Sequence, residues 1–261
     1  MNEAEQWAFF YEIFDGSLKR LAPGSDEATQ RALAMVLPEA KSTAQAAGGR
    51  PMRMLDVGCG NGAQTLALAR QTAGTIVALD NHQPYLDELS RRAQAAGLAD
   101  RIEPCLCDMH DLARQKGPFD LIWSEGALYI VGFEKGLTMC RSLQGTSGTL
   151  GASELCWLKA DVPAQCQQYF AREYPAMNNI AAALKAVTAA GYELVGHFVL
   201  PESAWWQGYY APLEKRLTRC RQACAGESDK LQVIAAMQEE IDIYRRYSDC
   251  YGYVFYLMRC A

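Results

Sequence analysis

From Met52 to Leu155 the chain alternates short, nearly continuous apolar runs with stretches that carry polar residues on one face. MRMLDV (Met52 to Val57) predicts a strand buried on both faces, and Ala63 to Gln71 the helix after it. TIVALD (Thr75 to Asp80) predicts a second strand, followed by a helix from Pro84 to about Ala96 that starts on proline and stops at Gly97. RIEPCLC predicts a third strand, FDLIWS a fourth and GTLGASEL a fifth, with a helix from Phe133 to Leu143 between the last two. Strands that alternate with helices imply a parallel sheet covered on both faces, an α/β fold.

The flanks break this rhythm. The chain up to about Pro38 reads as helical, interrupted at LAPGSD, where Pro23 and Gly24 turn the backbone and Ser25 is placed to cap the next helix. AQAAGGRP (Ala44 to Pro51) reads as a linker. Near the other end, NNIAAALKAVTAAGYELVGHFVLP predicts a helix, a stop at Gly191 and a strand, and YGYVFYLMR a final strand, the two suited to antiparallel pairing. Between them Glu202 to Cys250 is too long for a hairpin and reads as an aromatic loop and two helices. The second helix carries an apolar stripe of Leu231, Ile234, Met237, Ile241 and Tyr244, more often a core face than a partner interface. Its position predicts a cap over the space beside the sheet.

A length of 261 residues suits one domain with an elaborated edge. A net charge of -5 argues against a nucleic-acid partner, and a small or cationic substrate fits better. MNEAEQWAFFYEIF lacks the basic and apolar regions of an export signal, and no apolar run is long enough for a membrane, so a cytoplasmic protein is expected. The ten cysteines are scattered and read as reduced thiols. The pairs Cys105/Cys107 and Cys220/Cys224, with His82, His110 and His197, make no metal-ligand spacing, so no metal is expected.

Chemistry concentrates in the turn after the first strand, VGCGNGA. Gly58, Gly60 and Ala63 satisfy the dinucleotide fingerprint G-x-G-x-x-G/A, which brings backbone close to a ligand and aims helix amides at it, so these positions alone leave NAD open. Asp80 ends the second strand, where a carboxylate accepts both hydroxyls of a ribose. Asp108 lies just past the third, placed to receive an adenine amino group while Met109 packs on the ring.

In order along the chain, LDVGCGNG, ALDNH, CDMHDL and FDLIWSEGALY resemble the four cofactor motifs of class I S-adenosylmethionine-dependent methyltransferases, covering Met52 to Leu155. RLAPGSDEATQRAL, WSEGALYIVGFEKGL, SELCW, HFVLPESAWWQGYYAP and YGYVFY resemble a small-molecule branch of that family. One departure is LQGTSGTL, where the family usually has a Lys-Pro-Gly-Gly turn. The resemblance implies a Rossmann-like, doubly wound, mostly parallel seven-stranded sheet with an antiparallel last strand, in one domain spanning 1–261. A helical lid would occupy 1–45, the cofactor core 50–156, and the substrate side 157–261 with a helical cap at about 202–249.

By the same resemblance Gly58, Gly60 and Gly62 pass beside the methionine moiety of S-adenosylmethionine and Asp80 serves the ribose; Asn81 and His82, directly after it, are expected to line the cofactor site. Asp108 and Met109 frame the adenine, Ser124 lies near the sulfonium, Asp56 supports the loop and the amino group, and Tyr11 belongs to the lid. The product would be S-adenosylhomocysteine. Glu125 and Glu154 border the expected acceptor, as a clamp for an amine or as a base, though either would equally serve as a cap or in a salt bridge to Lys135 or Arg141. Tyr129, Trp157, Trp205, Trp206 and Tyr210 are the expected aromatic wall, with core packing the competing use of each. A monomer or homodimer acting on a small molecule at oxygen or nitrogen is the leading expectation. A non-catalytic holder of the same cofactor is the second, and an NAD-dependent oxidoreductase, lacking a Tyr-x-x-x-Lys pair, the third.

Overall fold

The computed structural model describes residues 1–46 and 48–261. Helix α1 is Glu3–Ile13 and α2 is Asp26–Ala46. The core then alternates β1 (Met52–Val57), α3 (Ala63–Gln71), β2 (Gly74–Asp80), α4 (Gln83–Ala95), β3 (Ile102–Leu106), β4 (Phe119–Glu125), α5 (Phe133–Ser142) and β5 (Gln144–Trp157). The substrate side continues with α6 (Ala164–Glu173), β6 (Asn178–Asn179), α7 (Ile180–Ala189), β7 (Tyr192–Val199), α8 (Glu202–Trp205), α9 (Ala211–Ala223), α10 (Ser228–Tyr247) and β8 (Tyr251–Cys260).

The main sheet runs β3-β2-β1-β4-β5-β8-β7, parallel except for β8, which lies antiparallel between β5 and β7; the two-residue β6 pairs with β5. Its strands read as apolar runs because both faces are covered. On one face Met54, Ile76, Leu121 and Phe255 meet Leu33, Leu68 and Leu89 of α2, α3 and α4; on the other, Leu55, Ile122, Leu150 and Val254 meet Leu137 and Val187 of α5 and α7. A third apolar cluster joins α1, α6, α9 and α10 above the carboxyl end of the sheet. Strand order reverses between β1 and β4, the crevice where open α/β sheets bind ligands.

Three expectations are corrected. The lid does not extend to residue 45: α2, capped by Ser25 (Ala28 N–H to Oγ, 3.1 Å), buries Ala32, Leu33, Val36 and Ala40 in the sheet core. The linker expected from Ala44 begins later, since helix continues to Ala46, and its Ala47 lies outside the described residues. The aromatic loop is helical, α8 running into a π-helical turn over Trp206–Tyr210, a local widening frequent at functional sites. Where the Lys-Pro-Gly-Gly turn is absent, β5 starts at buried Gln144, whose side chain accepts from Tyr192 Oη at 2.7 Å.

Candidate functional site

Three glycines of the first turn adopt left-handed backbone, φ 73° at Gly58, 53° at Gly60 and 83° at Gly62. A side chain there would be strained and blocked: a Cβ on Gly58 would lie 2.5 Å from Ala127 Cβ, and one on Gly62 2.2 Å from Leu89 Cδ1. The N–H groups of Gly58 and Cys59 both donate to Leu79 O at 2.9 Å, tying the turn to the end of β2. There the Asp80 carboxylate takes the Gly60 N–H at 2.9 Å and the His82 N–H at 3.0 Å. Each oxygen keeps a free lone pair. Partial burial pushes the Asp80 carboxyl up, against the pull of these backbone donors.

Around Asp80 the structure gathers several expected residues. Tyr11 of α1 stacks on His82 at 3.7 Å between ring centres, 7° from parallel, and burial followed by the Asp80 charge raises its phenol. Asp108 is exposed past β3, its carboxyl lowered first by the His110 backbone N–H at 2.8 Å and then by the His110 ring, whose Nδ1 is 2.8 Å from the same oxygen. Met109 is buried, its Cε 3.4 Å from where a Gly58 Cβ would stand. Leu21, from the segment after α1, lies over Gly60.

Two expected cofactor residues face inward instead. Asp56 is fully buried, accepting from Thr65 Oγ1 at 2.6 Å and Gln64 Nε2 at 3.5 Å, so it braces the loop and presents nothing to a cofactor amino group. Desolvation pushes its carboxyl up to about 7. Ser124 is also fully buried and donates to Val57 O at 2.9 Å, which ties β4 to β1.

Glu125 is likewise committed to structure. Its Oε2 accepts from Arg20 Nη1 at 3.0 Å, and its Oε1 from Thr29 Oγ1 at 2.6 Å and Trp123 Nε1 at 2.9 Å. The partner is Arg20, not Lys135 or Arg141, and at 5% exposure the Glu125 side chain is closed off from a substrate.

Glu154 is different. Its Oε1 accepts from Tyr174 Oη at 2.6 Å, while Oε2 is buried without a partner among the described residues, beside a cavity of about 330 Å³ that Tyr174 also lines. Burial pushes this carboxyl up to about 7, the Tyr174 hydroxyl opposing. The folded state therefore keeps a proton that the unfolded chain loses near pH 4, and the associated stability is lost as pH rises towards 7. Glu154→Gln is expected to be more stable than the parent at pH 8, by up to about 3 kcal/mol, with little difference at pH 4. Urea titrations at both pH values check this; a gap that does not grow with pH would contradict it.

The cap helices enclose a second cavity of about 370 Å³. Tyr129, Trp205 and Tyr210 line it as expected. Two expected wall residues do not: Trp157 packs edge-on against Phe170 outside the cavity, and Trp206 lies under Arg245, its guanidinium carbon 5.0 Å from the ring centre, and donates to Glu202. Tyr174, Tyr251, Tyr253 and Glu240 line the cavity and were not anticipated. Glu240 has a readable signal, three residues after Met237 and four before Tyr244, on the helix face that carries the apolar stripe.

Leu21 and Gly126 line this cavity, while Leu21 also covers Gly60 and the neighbouring Ala127 abuts Gly58. The glycine turn and the aromatic cavity are thus contiguous. Among the described residues no helix is long and apolar enough to cross a membrane, and no cluster of three or more His, Cys, Asp or Glu side chains suits a metal.

Residues 54–144 match the family model of a methyltransferase domain. The chain is 36% identical over 104 residues to an uncharacterized protein from Synechococcus sp., covering 39% of this chain and 25% of that one. It is 35% identical over 72 residues to methyltransferase GfsG from Streptomyces halstedii, covering 28% and 26%. It therefore spans about a quarter of the length of the curated relatives it matches. A solved SAM-dependent methyltransferase from Thiobacillus denitrificans, in complex with S-adenosyl-L-homocysteine, superposes with a TM-score of 0.75 at 19% identity, over 97% of this chain and 98% of that one.

Proposed function

We propose that this chain, which has the class I methyltransferase fold and a methyltransferase-domain segment at 54–144, transfers a methyl group from S-adenosylmethionine to a small molecule at oxygen or nitrogen. The observation that carries the reading is the contiguity of the Gly58–Gly62 turn with the aromatic cavity, through Leu21 and through Gly126 and Ala127.

The residues present fit that cofactor. Asp80 has acceptor capacity left for ribose hydroxyls, Asp108 is exposed beside Asn81 and buried Met109, and Gly58, Gly60 and Gly62 carry no side chain of their own, with Leu21 over Gly60 the side chain a ligand would meet there. S-adenosylmethionine would supply a methyl already activated as a sulfonium. The chain then has to align the acceptor and exclude water, and needs no covalent nucleophile. Tyr11 and His82 close one side, and α8 to α10 close the other. The Tyr174 hydroxyl, bonded to Glu154, is the group on the cavity wall through which an acceptor proton would be drawn away.

Calorimetry should show S-adenosylhomocysteine binding saturably and NAD not binding. Incubation of S-adenosylmethionine with a library of small amines and alcohols should release S-adenosylhomocysteine. NAD binding in place of S-adenosylhomocysteine would overturn the reading, and S-adenosylhomocysteine binding without turnover across the library would favour a non-catalytic holder.

A further inference from the structure

The aromatic cavity is one-sided in charge. Eleven of its nineteen lining residues are aromatic, and its formally charged members are Glu173 and Glu240, with no Lys, Arg or His among them. Glu173 is an exposed rim residue already paired with Arg172 at 2.6 Å. Glu240 lies deeper, accepts from Tyr210 Oη at 2.9 Å, and has no cationic partner among the described residues. A phenol hydroxyl orients a carboxylate but does not balance its charge.

The surroundings make that imbalance expensive: burial raises the Glu240 carboxyl, with the Tyr210 bond opposing, so a bound cation would be what favours its ionised form. Tyr169, Tyr209, Tyr210 and Tyr251 are each less than a tenth exposed. Burial raises all four phenols, and the Glu240 carboxylate is the next cause in every case, so these side chains stay neutral and gather around one acidic group. A carboxylate removed from water without a countercharge is destabilised, and electron-rich ring faces attract cations. Both effects favour the same ligand. An anionic acceptor would be repelled by Glu240 and would find no basic side chain on the wall. A volume of about 370 Å³ is near the lower end of the range for small-molecule sites, roughly 300–1,000 Å³.

We propose that the acceptor taken by this cavity is a compact organic ammonium ion, its charged nitrogen paired with Glu240 and lying against the tyrosine-rich wall. This rests on the reading of the cavity as the acceptor site, but the charge preference is measurable without turnover. Calorimetry on the intact protein would compare choline with 3,3-dimethylbutan-1-ol, which replaces the ammonium nitrogen by carbon, and benzylammonium with benzyl alcohol.

At least one cation is expected to bind tenfold or more tightly than its neutral counterpart, and Glu240→Gln is expected to reduce that ratio to threefold or less while leaving the neutral ligand's affinity unchanged. Equal binding within both pairs, binding of the alcohols alone, or no saturable binding of any of the four would overturn the proposal. So would a preference that Glu240→Gln leaves intact. The comparison on the parent protein carries the test if that variant fails to fold. S-adenosylhomocysteine titrated into the same samples separates the two readings: cation preference without cofactor binding counts against methyl transfer alone, and cofactor binding without cation preference against this proposal alone.

Discussion

Asp80→Ala is expected to weaken S-adenosylhomocysteine binding by roughly a hundredfold or more, about 3 kcal/mol. The carboxylate has two jobs at once. It accepts the Gly60 and His82 N–H groups, which holds the glycine turn against the start of α4, and in the proposed function it also receives the ribose hydroxyls. Hydrogen bonds to a charged group contribute about 1.5 to 3 kcal/mol each, so losing the ribose contacts alone accounts for a change of this size. Asp80→Asn tests the division of labour. Its amide keeps one accepting oxygen but points a donor at one of the two backbone donors, so a loss of about tenfold is expected. Calorimetry measures both, and a thermal unfolding curve shows whether each variant remains folded. A folded Asp80→Ala protein that binds within threefold of the parent would remove Asp80 from the ribose site.

The parts of this molecule that could be read from sequence are those where one local rule decides. β1, β2 and β4 are apolar runs because helices bury both faces, and α3 has the expected limits because Gly62 sets its start. The cofactor-side grouping of Asp80, Asn81, His82 and Asp108 follows from the same logic, since the ends of adjacent parallel strands meet at one edge. What escaped is set by distant contacts. Arg20 and Glu125 are 105 residues apart, and nothing in the local pattern of either announces the other. Glu240, on the helix face of Met237 and Tyr244, has no place in the sequence reading, and Ser124 and Asp56 read as cofactor neighbours although their partners are Val57 O and Thr65. Among the aromatics, the choice between wall and packing depends on one helical turn, with Trp205 and Tyr210 turned into the cavity and Trp206 turned out.

Arg20→Ala is expected to destabilise the fold by about 3 to 5 kcal/mol, the range for breaking a buried ion pair from one side. The side chains of Arg20 and Glu125 are 4% and 5% exposed, so removing the guanidinium leaves a carboxylate with only Thr29 and Trp123 to satisfy it. For a domain of this size such a loss corresponds to a fall in Tm of roughly 10 °C. Replacing both members with apolar residues, Arg20→Met with Glu125→Leu, should recover only part of it: no charge of the pair is stranded, but buried Trp123 Nε1 loses its acceptor. The pair also shapes the cavity. Gly24 passes it so closely that a Cβ there would stand 2.8 Å from Arg20 Nη1, and the Gly24 N–H bonds Ala204 O of α8 at 3.0 Å. Pro23 and Ala22 line the cavity on this segment, so Arg20→Ala should weaken acceptor binding as well as stability, even at a temperature where the variant is folded. Urea unfolding of the two single variants and the double variant separates the contributions. A single variant within 1 kcal/mol of the parent would show that the ion pair does not anchor the segment between α1 and α2 to the end of β4.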